Sequence, residues 1–197
     1  MTRILAFSDM HMSRRCAREV VAAAEGADLV IGAGDYCNQR QGLAEAMAML
    51  RPVLAKSVLV PGNAESADEL RAAAGPATVL HGEATERAGL RIFGLGYAVP
   101  ATPFGDWSCD LSEDQAATLL AGLEQADLLA VHSPPKGVAD RSSGGASLGS
   151  AAVRAAIERA QPRLALCGHV HESWGETGLI GVTRVHNLGP RVTWFDL

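Results

Sequence analysis

Short runs of apolar residues alternate with Ala-rich segments along most of the chain. Each run is rich in Leu, Val and Ile and ends at a polar residue or a glycine, which is typical of strands buried on both faces of a sheet. The runs cover residues 4–7, 29–31, 58–60, 128–131 and 164–166. They predict five buried strands.

Helix signals fill the segments between these strands. A serine followed three residues later by Glu or Gln forms a capping box at Ser66 and at Ser112. The predicted helices cover residues 13–26, 42–50 and 66–75, a segment that starts at 112, and a segment from about 150 to the residue before Pro162. Strand followed by helix, repeated, predicts an α/β fold with a largely parallel sheet.

Two segments lack the helical period. Residues 78–97 contain two β-rich runs around Ala88-Gly89, and residues 179–195 show no helical pattern either. Both predict hairpins that add a second, partly antiparallel sheet. Because no internal repeat or linker interrupts the chain, we interpret residues 1–197 as a single domain.

Composition narrows the possible partners and locations. The 197 residues carry a net charge of -5 without a basic run, so a long nucleic acid is not an expected partner. Because no stretch of about 18 apolar residues occurs and residues 4–7 are too short for a signal-peptide core, we predict a cytoplasmic protein without membrane contact. The four cysteines lack metal-binding spacing and are interpreted as isolated thiols.

Side chains that bind metals follow each of the five predicted strands. In open parallel sheets the carboxyl ends of the strands form the ligand-binding edge, so these donors are expected to converge. Buried imidazoles and carboxylates would be costly without a cation, which predicts a metal site. In chain order the donors are Asp9, His11, Asp35, Asn63, His132, His169 and His171.

Local spacing supports this convergence. Asp9 and His11, like His169 and His171, are two residues apart, which places both side chains of a pair on one side of an extended segment. The glycines before Asp35, Asn63 and His169 are expected to allow sharp turns at the strand ends. Imidazole mixed with oxygen donors suits Mn, Fe, Zn or Co. His81 and His186 are interpreted as structural histidines.

Five ordered motifs carry a family resemblance. They are Asp9-Met10-His11, Gly34-Asp35, Gly62-Asn63, His132 and Gly168-His169-Val170-His171. This series resembles that of the calcineurin-like metallophosphoesterases and spans the chain from Asp9 to His171. The resemblance implies a four-layer αββα sandwich, with two mixed β-sheets flanked by helices.

The resemblance also implies roles for the donors. One divalent metal ion would be bound by Asp9, His11 and His171, and a second by Asn63, His132 and His169, with Asp35 bridging them. Asp35, Asn63 and His132 are therefore the predicted catalytic residues, and a metal-bound hydroxide would attack the phosphorus of a small phosphate ester. No cofactor besides the two metal ions is predicted, because the glycine-rich pairs lack the third glycine of a dinucleotide fingerprint.

One motif departs from the family pattern. The third motif usually continues with a histidine that protonates the leaving group, but this chain has Ala64 there, followed by Glu65. Loss of a general acid costs a factor of about 10² to 10⁴ for a poor leaving group and less for a good one. We therefore predict a preference for phosphodiesters or for esters with good leaving groups.

The loop at residues 133–149 is expected to cover the metals, since loops of this length are often functional. Lys136 or Arg141 could hold a substrate phosphate, although solvated charge is the simpler interpretation of each. Asp140 lies in the same loop.

Two other functions are compatible with parts of the sequence. Ser147 lies in a Gly-x-Ser-x-Gly sequence, with Glu176 and His186 following in the order of a serine hydrolase, but no predicted strand precedes this serine. A metal-binding scaffold of the same fold, which binds a protein partner, is the second alternative. Seven intact donors argue against it, because a scaffold does not need them.

Overall fold

Two β-sheets face each other in the computed structural model, which describes residues 1–197. The strands of the first sheet are β1 (Arg3–Phe7), β2 (Leu29–Gly32), β3 (Ser57–Leu59), β4 (Thr78–Val79) and β11 (Thr193–Asp196). Their order is β11-β1-β2-β3-β4. Neighbours from β1 to β4 are parallel, and β11 runs antiparallel to β1.

The second sheet contains six strands. They are β5 (Glu83–Arg87), β6 (Leu90–Leu95), β7 (Leu128–Val131), β8 (Leu164–Cys167), β9 (Thr177–Ile180) and β10 (Thr183–Asn187). Their order is β5-β6-β7-β8-β10-β9, with parallel pairing from β6 through β10 and an antiparallel strand at each edge. The two mixed sheets confirm the predicted fold class.

The assignment of strands to sheets was wrong in one respect. The five apolar runs do not share a sheet: β1, β2 and β3 lie in the first, and β7 and β8 lie in the second between the two hairpins. A strand buried on both faces has the same apolar pattern in either sheet, so the pattern does not identify its sheet. The carboxyl ends that carry the donors therefore come from both sheets.

Five helices cover the outer faces of the sheets. They are α1 (Arg14–Ala23), α2 (Leu43–Leu50), α3 (Ala67–Ala73), α4 (Glu113–Leu120) and α5 (Ala151–Ala160). Both predicted capping boxes are present, at Ser66 with Glu69 and at Ser112 with Gln115. None of the helices is long and apolar enough to cross a membrane.

Three apolar clusters fill the spaces between the four layers. Strand β1 contributes residues to two of these clusters. Leu5 and Phe7 pack with residues of α1 and α2, while Ile4 and Ala6 pack between the sheets. Both faces of β1 are therefore buried, which explains its uninterrupted apolar sequence. Full burial of one Leu or Ile side chain stabilises the fold by about 1.5–3 kcal/mol, so these layers hold the strand ends firmly.

Replacing Ser112 with alanine should weaken α4. The Ser112 hydroxyl accepts a hydrogen bond from the Gln115 amide at 3.2 Å, and loss of such a cap costs about 1 kcal/mol. We expect urea unfolding to show this decrease for Ser112→Ala. The matched control is Ser143→Ala, an exposed loop residue, which should unfold like the wild type. Equal stability of the two variants would contradict the capping role.

Candidate metal centre

The predicted donors lie together beyond the carboxyl ends of strands from both sheets. The two sheets are joined there by a hydrogen bond from His132 Nδ1 to the Ala33 carbonyl oxygen, at 2.8 Å. A second link is the His169 amide, which donates to Asp9 Oδ1 at 3.0 Å. The loops after β1, β2, β3, β7 and β8 therefore form one continuous site.

The first group of donors consists of Asp9, His11 and His171, whose ligand atoms all lie within 4.8 Å of one another. His11 Nε2 is 3.3 Å from His171 Nε2, and His171 Nε2 is 3.7 Å from Asp9 Oδ1. Asp9 is fully buried, and the two imidazoles are partly exposed to the cleft. Three donor atoms thus surround one point at the surface of the site.

The second group lies deeper and consists of Asp9, Asp35 and His132, whose ligand atoms also lie within 4.8 Å of one another, with Asn63 beside His132. His132 Nε2 is 3.5 Å from Asp35 Oδ1 and 3.2 Å from Asn63 Oδ1. The other oxygen of Asp35, Oδ2, is 3.4 Å from His11 Nε2. Asp35 therefore directs one oxygen toward each group. His169 packs beside His132, with ring centroids 4.9 Å apart.

The tautomers of two histidines follow from their neighbours. His132 Nδ1 faces the Ala33 carbonyl oxygen, and His11 Nδ1 lies 3.2 Å from the Cys37 carbonyl oxygen and 3.1 Å from Asn38 Oδ1. All three neighbours accept hydrogen bonds, so the neutral imidazoles carry their proton on Nδ1. The lone pair on each Nε2 then points into the site, as metal ligation requires.

The spacing of the donor atoms fits metal coordination. With metal–ligand bonds of about 2.1 Å, neighbouring ligand atoms in an octahedral or tetrahedral shell are about 3.0 to 3.4 Å apart. Five of the separations between donor atoms are 3.2 to 3.7 Å, and the ligand atoms of each group lie within 4.8 Å of one another. The residues present are therefore close enough together to hold divalent ions.

Burial and charge shift the pKa values of the donors in different directions. Burial raises the pKa of Asp9. Burial opposes the charged form of His132, but the carboxylates of Asp35 and Asp9 outweigh it and raise the pKa of His132. A bound cation would therefore have to displace protons from both Asp9 and His132. Burial opposes ionisation of Asp35, but the imidazoles of His132 and His11 outweigh it and lower its pKa. Burial lowers the pKa of His169 to about 3, with His132 adding to the effect, so His169 is neutral at pH 7. Burial also lowers the pKa of His171.

Several donors have strained backbone conformations. Asp9, His11, Asp35 and His169 have φ values of 52°, 43°, 58° and 68°, in the left-handed region that non-glycine residues seldom occupy. The prediction that Asp9 and His11 lie on an extended segment was therefore wrong, and His171 begins a short 3₁₀ turn. Such strain is typical of functional sites, where the surrounding packing imposes it.

The three glycines before Asp35, Asn63 and His169 serve two purposes. Gly34 has φ +95°, so it allows the turn that was predicted. Gly62 and Gly168 do not have positive φ, and that part of the prediction was wrong. A Cβ at Gly62 would collide with Asp35, and one at Gly168 would collide with the Asp9 carboxylate. These two glycines make space for the carboxylates of Asp35 and Asp9.

Glu65 is a structural residue of the site that the sequence did not reveal. It is fully buried, and its Oε1 accepts hydrogen bonds from the amides of Asp35 (2.8 Å) and Gly62 (2.6 Å). Its Oε2 accepts from the amides of Tyr36 (3.1 Å) and Cys37 (3.4 Å). Glu65 thus holds the strained loop that carries Asp35. In the sequence it was recognised only as the acidic residue at the end of the third motif, without a role.

Two neighbours of Asp9 were also missed. The Ser8 hydroxyl donates to Asp9 Oδ2 at 2.5 Å, and Trp174 Nε1 donates to the same oxygen at 3.2 Å. The Trp174 ring lies against His171, with centroids 4.2 Å apart. Ser8 and Trp174 therefore help to orient Asp9, and Trp174 also contacts His171. The contact of Trp174 with Asp9 leaves no local pattern because the two residues are far apart in sequence, whereas Ser8 directly precedes Asp9.

The site opens into a cleft of about 380 Å³. Its walls contain no Lys or Arg; they are His11, Asp35, Asn63, Phe104, Trp107, Leu148, His169, Val170, His171 and Glu172. A neighbouring cavity of about 430 Å³, on the other side of Asp9 and His11, includes Arg15 and Arg191. A larger groove of about 760 Å³ between α1 and α2 contains none of the seven donors.

The loop at residues 133–149 contributes less to the cleft than predicted. Of this loop only Leu148 lines the cleft, so the structure does not support phosphate binding there by Lys136 or Arg141. The Arg141 guanidinium instead donates to the Gly145 carbonyl oxygen at 2.9 Å. Asp140 is buried and accepts hydrogen bonds from the amides of Gly137 and Gly149, which fix the loop.

The serine hydrolase alternative is wrong. Ser147 follows a turn rather than a strand, and its hydroxyl donates to Asp140. His186 packs against Phe195, with centroids 5.3 Å apart, and lines a different cavity. The nucleophile elbow needs a strand directly before the serine, which is absent here.

Replacing Gly62 with alanine should damage the site. The added Cβ must displace the backbone or carboxylate of Asp35, and overpacking of this kind costs about 1–3 kcal/mol. We expect Gly62→Ala to bind less metal per chain, measured by elemental analysis after gel filtration. Gly144→Ala is the control, because its Cβ would meet no atom closer than 3.9 Å. Unchanged metal content in Gly62→Ala would refute the spatial role of this glycine.

The stability contributed by Glu65 should depend on pH. Burial, with the Asp35 charge adding, raises the pKa of Glu65 to about 7, whereas an unfolded Glu titrates near 4.5. Between these values the folded state holds a proton that the unfolded state has lost, so the contribution of Glu65 falls as pH rises.

We therefore expect the stability difference between wild type and Glu65→Gln, measured by urea unfolding with a chelator present, to be greatest near pH 4.5 and to shrink toward pH 7. Glu124→Gln, at an exposed position, should show no such trend. A difference that grows as pH rises would contradict the burial of a protonated Glu65.

Comparison with known proteins places this geometry in a family. The chain matches the calcineurin-like phosphoesterase superfamily domain over residues 2–192. Similar solved structures include the TT1561 protein of Thermus thermophilus, with 17% identity, TM-score 0.74, and coverage of 99% of this chain and 98% of that chain. A dimetal phosphatase from Danio rerio has 14% identity, TM-score 0.60, and coverage of 96% and 88%.

The phosphopantetheinyl hydrolase of Mycobacterium tuberculosis is similar as well, with 17% identity, TM-score 0.53, and coverage of 95% of this chain and 89% of that chain. No curated protein sequence matches the chain. At these identities the structural likeness shows the fold, and the family match over residues 2–192 shows the family. The chain therefore belongs to the calcineurin-like phosphoesterase superfamily.

Proposed function

We propose that this phosphoesterase binds two divalent metal ions bridged by Asp35 and hydrolyses a phosphodiester. The observation that carries the proposal is the position of Asp35, whose Oδ2 is 3.4 Å from His11 and whose Oδ1 is 3.5 Å from His132. A carboxylate placed between two groups of imidazoles is suited to bridge two cations. Two bound ions would acidify water, orient the ester for in-line attack and neutralise developing charge.

The remaining donors divide between the two ions in this proposal. Asp9, His11 and His171 would hold one ion, and Asn63, His132 and His169 the other. The distances of 3.2 Å between His132 Nε2 and Asn63 Oδ1 and of 3.7 Å between His171 Nε2 and Asp9 Oδ1 support this division. Asp35, Asn63 and His132 are the proposed catalytic residues. Mixed nitrogen and oxygen donors favour Mn, Fe, Zn or Co.

Two features of the cleft favour a diester. A phosphate monoester carries about two negative charges at neutral pH, whereas a diester carries one. The cleft walls contain no Lys or Arg to balance the extra charge, and the exposed Glu172 adds a negative charge. Ala64 supplies no proton to a leaving group, so an ester that departs as a stable anion fits best.

The wider setting of the site is also a proposal. We place the protein in the cytoplasm as a single domain over residues 1–197. The four cysteines are all free thiols, which agrees with a reducing compartment. The substrate is a small ester, since the main cleft is only about 380 Å³.

Replacing Asp35 with asparagine should abolish turnover. The variant loses the charge that would bridge the ions, so we expect kcat for bis(p-nitrophenyl) phosphate to fall by more than about 100-fold, beyond the loss typical of an outer-shell partner. Metal content should fall below that of the wild type. Asp196→Asn, an exposed residue of β11, is the control. Wild-type turnover in Asp35→Asn would rule out this role, and stoichiometric metal without turnover in the wild type would favour the non-catalytic scaffold.

The charge of the substrate should decide its rate. We expect the metal-loaded protein to hydrolyse methyl p-nitrophenyl phosphate with a higher kcat/KM than p-nitrophenyl phosphate, since both release the same leaving group, neither has a second ring and only the monoester carries a second charge. Steady-state absorbance measurements on one metal-loaded preparation would compare them. A higher kcat/KM for the monoester would exclude the proposed preference.

A further inference from the structure

We infer that the cleft binds an aromatic ring of its substrate against Phe104 and Trp107. This inference rests on the proposed function and specifies the substrate class: a phosphodiester in which one ester group is an uncharged aryl or heteroaryl group. The two aromatic residues line the same cavity as Asp35, Asn63 and His169.

The two rings stack on each other at the cleft. Their planes are nearly parallel, with an interplanar angle of 4° and centroids 5.6 Å apart. Phe104 is 50% exposed, although its apolar ring would be more stable if it were covered. An exposed aromatic ring beside polar ligating groups is suited to stacking with a planar ring.

Leu148 provides apolar surface from a different loop. It is 47% exposed and lines the same cleft. Six large apolar residues of the chain are exposed, and Phe104 and Leu148 are two of these six. Single exposed apolar residues need no explanation. Two exposed apolar residues that line the same cleft beside the proposed metal ligands indicate a binding surface.

The loop that carries the aromatic residues is fixed relative to Asn63. Asn63 Nδ2 donates to Ser108 Oγ at 3.0 Å, and the Cys109 amide donates to the Asn63 carbonyl oxygen at 2.9 Å. The Ser108 amide donates to the Gly105 carbonyl oxygen, which closes the turn between Phe104 and Trp107. The rings are therefore held at a defined position beside a proposed metal ligand and need little ordering when a ligand binds.

A second set of hydrogen bonds anchors the same loop. Asp110 accepts from the Thr102 amide at 2.8 Å, from the Thr102 hydroxyl at 2.9 Å and from the Ser108 hydroxyl at 2.6 Å. Both ends of the segment that carries the rings are thus tied together. This arrangement keeps the aromatic surface in place in the absence of substrate.

Charge limits which aromatic group fits. Asp106, between the two aromatic residues in sequence, is exposed, and so is Glu172 on the cleft wall. With no Lys or Arg on that wall, an aromatic group that carries a carboxylate or a further phosphate would be repelled. A neutral ring is therefore the expected occupant.

Two diester analogues that resist hydrolysis test the inference directly. They resist hydrolysis because one substituent is held by a P–C bond and the other would have to leave as methoxide. They are the monomethyl ester of phenylphosphonate and the monomethyl ester of methylphosphonate, which carry the same single charge and differ only in phenyl against methyl. Calorimetric titration of the metal-loaded protein should give about 10-fold tighter binding of the phenyl analogue, which is within the usual range for stacking on an aromatic side chain.

Variants locate the source of the preference. In Phe104→Ala and Trp107→Ala the ratio of the two dissociation constants should fall to about 2 or less, and affinity for the methyl analogue should stay within about twofold of wild type, because no metal donor is changed. Trp107→Phe should keep most of the preference. Leu179→Ala is the control, since Leu179 is 67% exposed on β9 and does not line the cleft.

The outcomes separate this inference from the proposed function. Equal binding of the analogues, binding of neither, or a phenyl preference that survives both alanine replacements would overturn the aromatic subsite. Hydrolysis of bis(p-nitrophenyl) phosphate without a phenyl preference would overturn the subsite and leave the hydrolase intact. A phenyl preference without any hydrolysis would support the subsite and contradict the proposed function. Thermal melting of each variant checks that it is folded.

Discussion

The buried carboxylate of Asp35 constrains the rest of the site. It is only 4% exposed, and it lies between imidazoles that come from the ends of strands in different sheets. An ionised carboxylate removed from water costs several kcal/mol unless positive charge and hydrogen bonds compensate. The space left by Gly62, the amide of Ala64 that donates to Asp35, and the nearby imidazoles all satisfy this requirement. A pair of cations would complete the compensation.

The sandwich provides the rigidity that such a site needs. Left-handed backbone at Asp9, His11, Asp35 and His169 is unfavourable, and it persists only where the surroundings impose it. Three buried apolar layers hold the strand ends. Glu65 fixes the loop after β2 through three backbone amides and ties it to the loop after β3 through the amide of Gly62. The packing of the core thus compensates for the unfavourable backbone conformations of the donors, which their local sequence alone would not adopt.

The sequence predicted those features that leave a local pattern. Apolar runs indicated the strands, capping boxes indicated α3 and α4, and donors at strand ends indicated the metal centre. It could not assign β7 to its sheet, because burial on both faces looks the same in either sheet. It also could not reveal the contacts of Glu65, Trp174 and Phe104, which depend on loops brought together only by the fold. The sequence identified Gly62 as important to the site, but the structure gives a different reason from the predicted turn: a side chain there would collide with Asp35.

The central claim is that two metal ions lie on either side of Asp35. The most direct measurement is anomalous X-ray diffraction from crystals of the Mn-loaded protein. The account predicts two anomalous peaks about 3.5 to 4 Å apart, the spacing of two-metal sites, with one oxygen of Asp35 facing each peak. A single peak, or two peaks of which only one contacts Asp35, would contradict it.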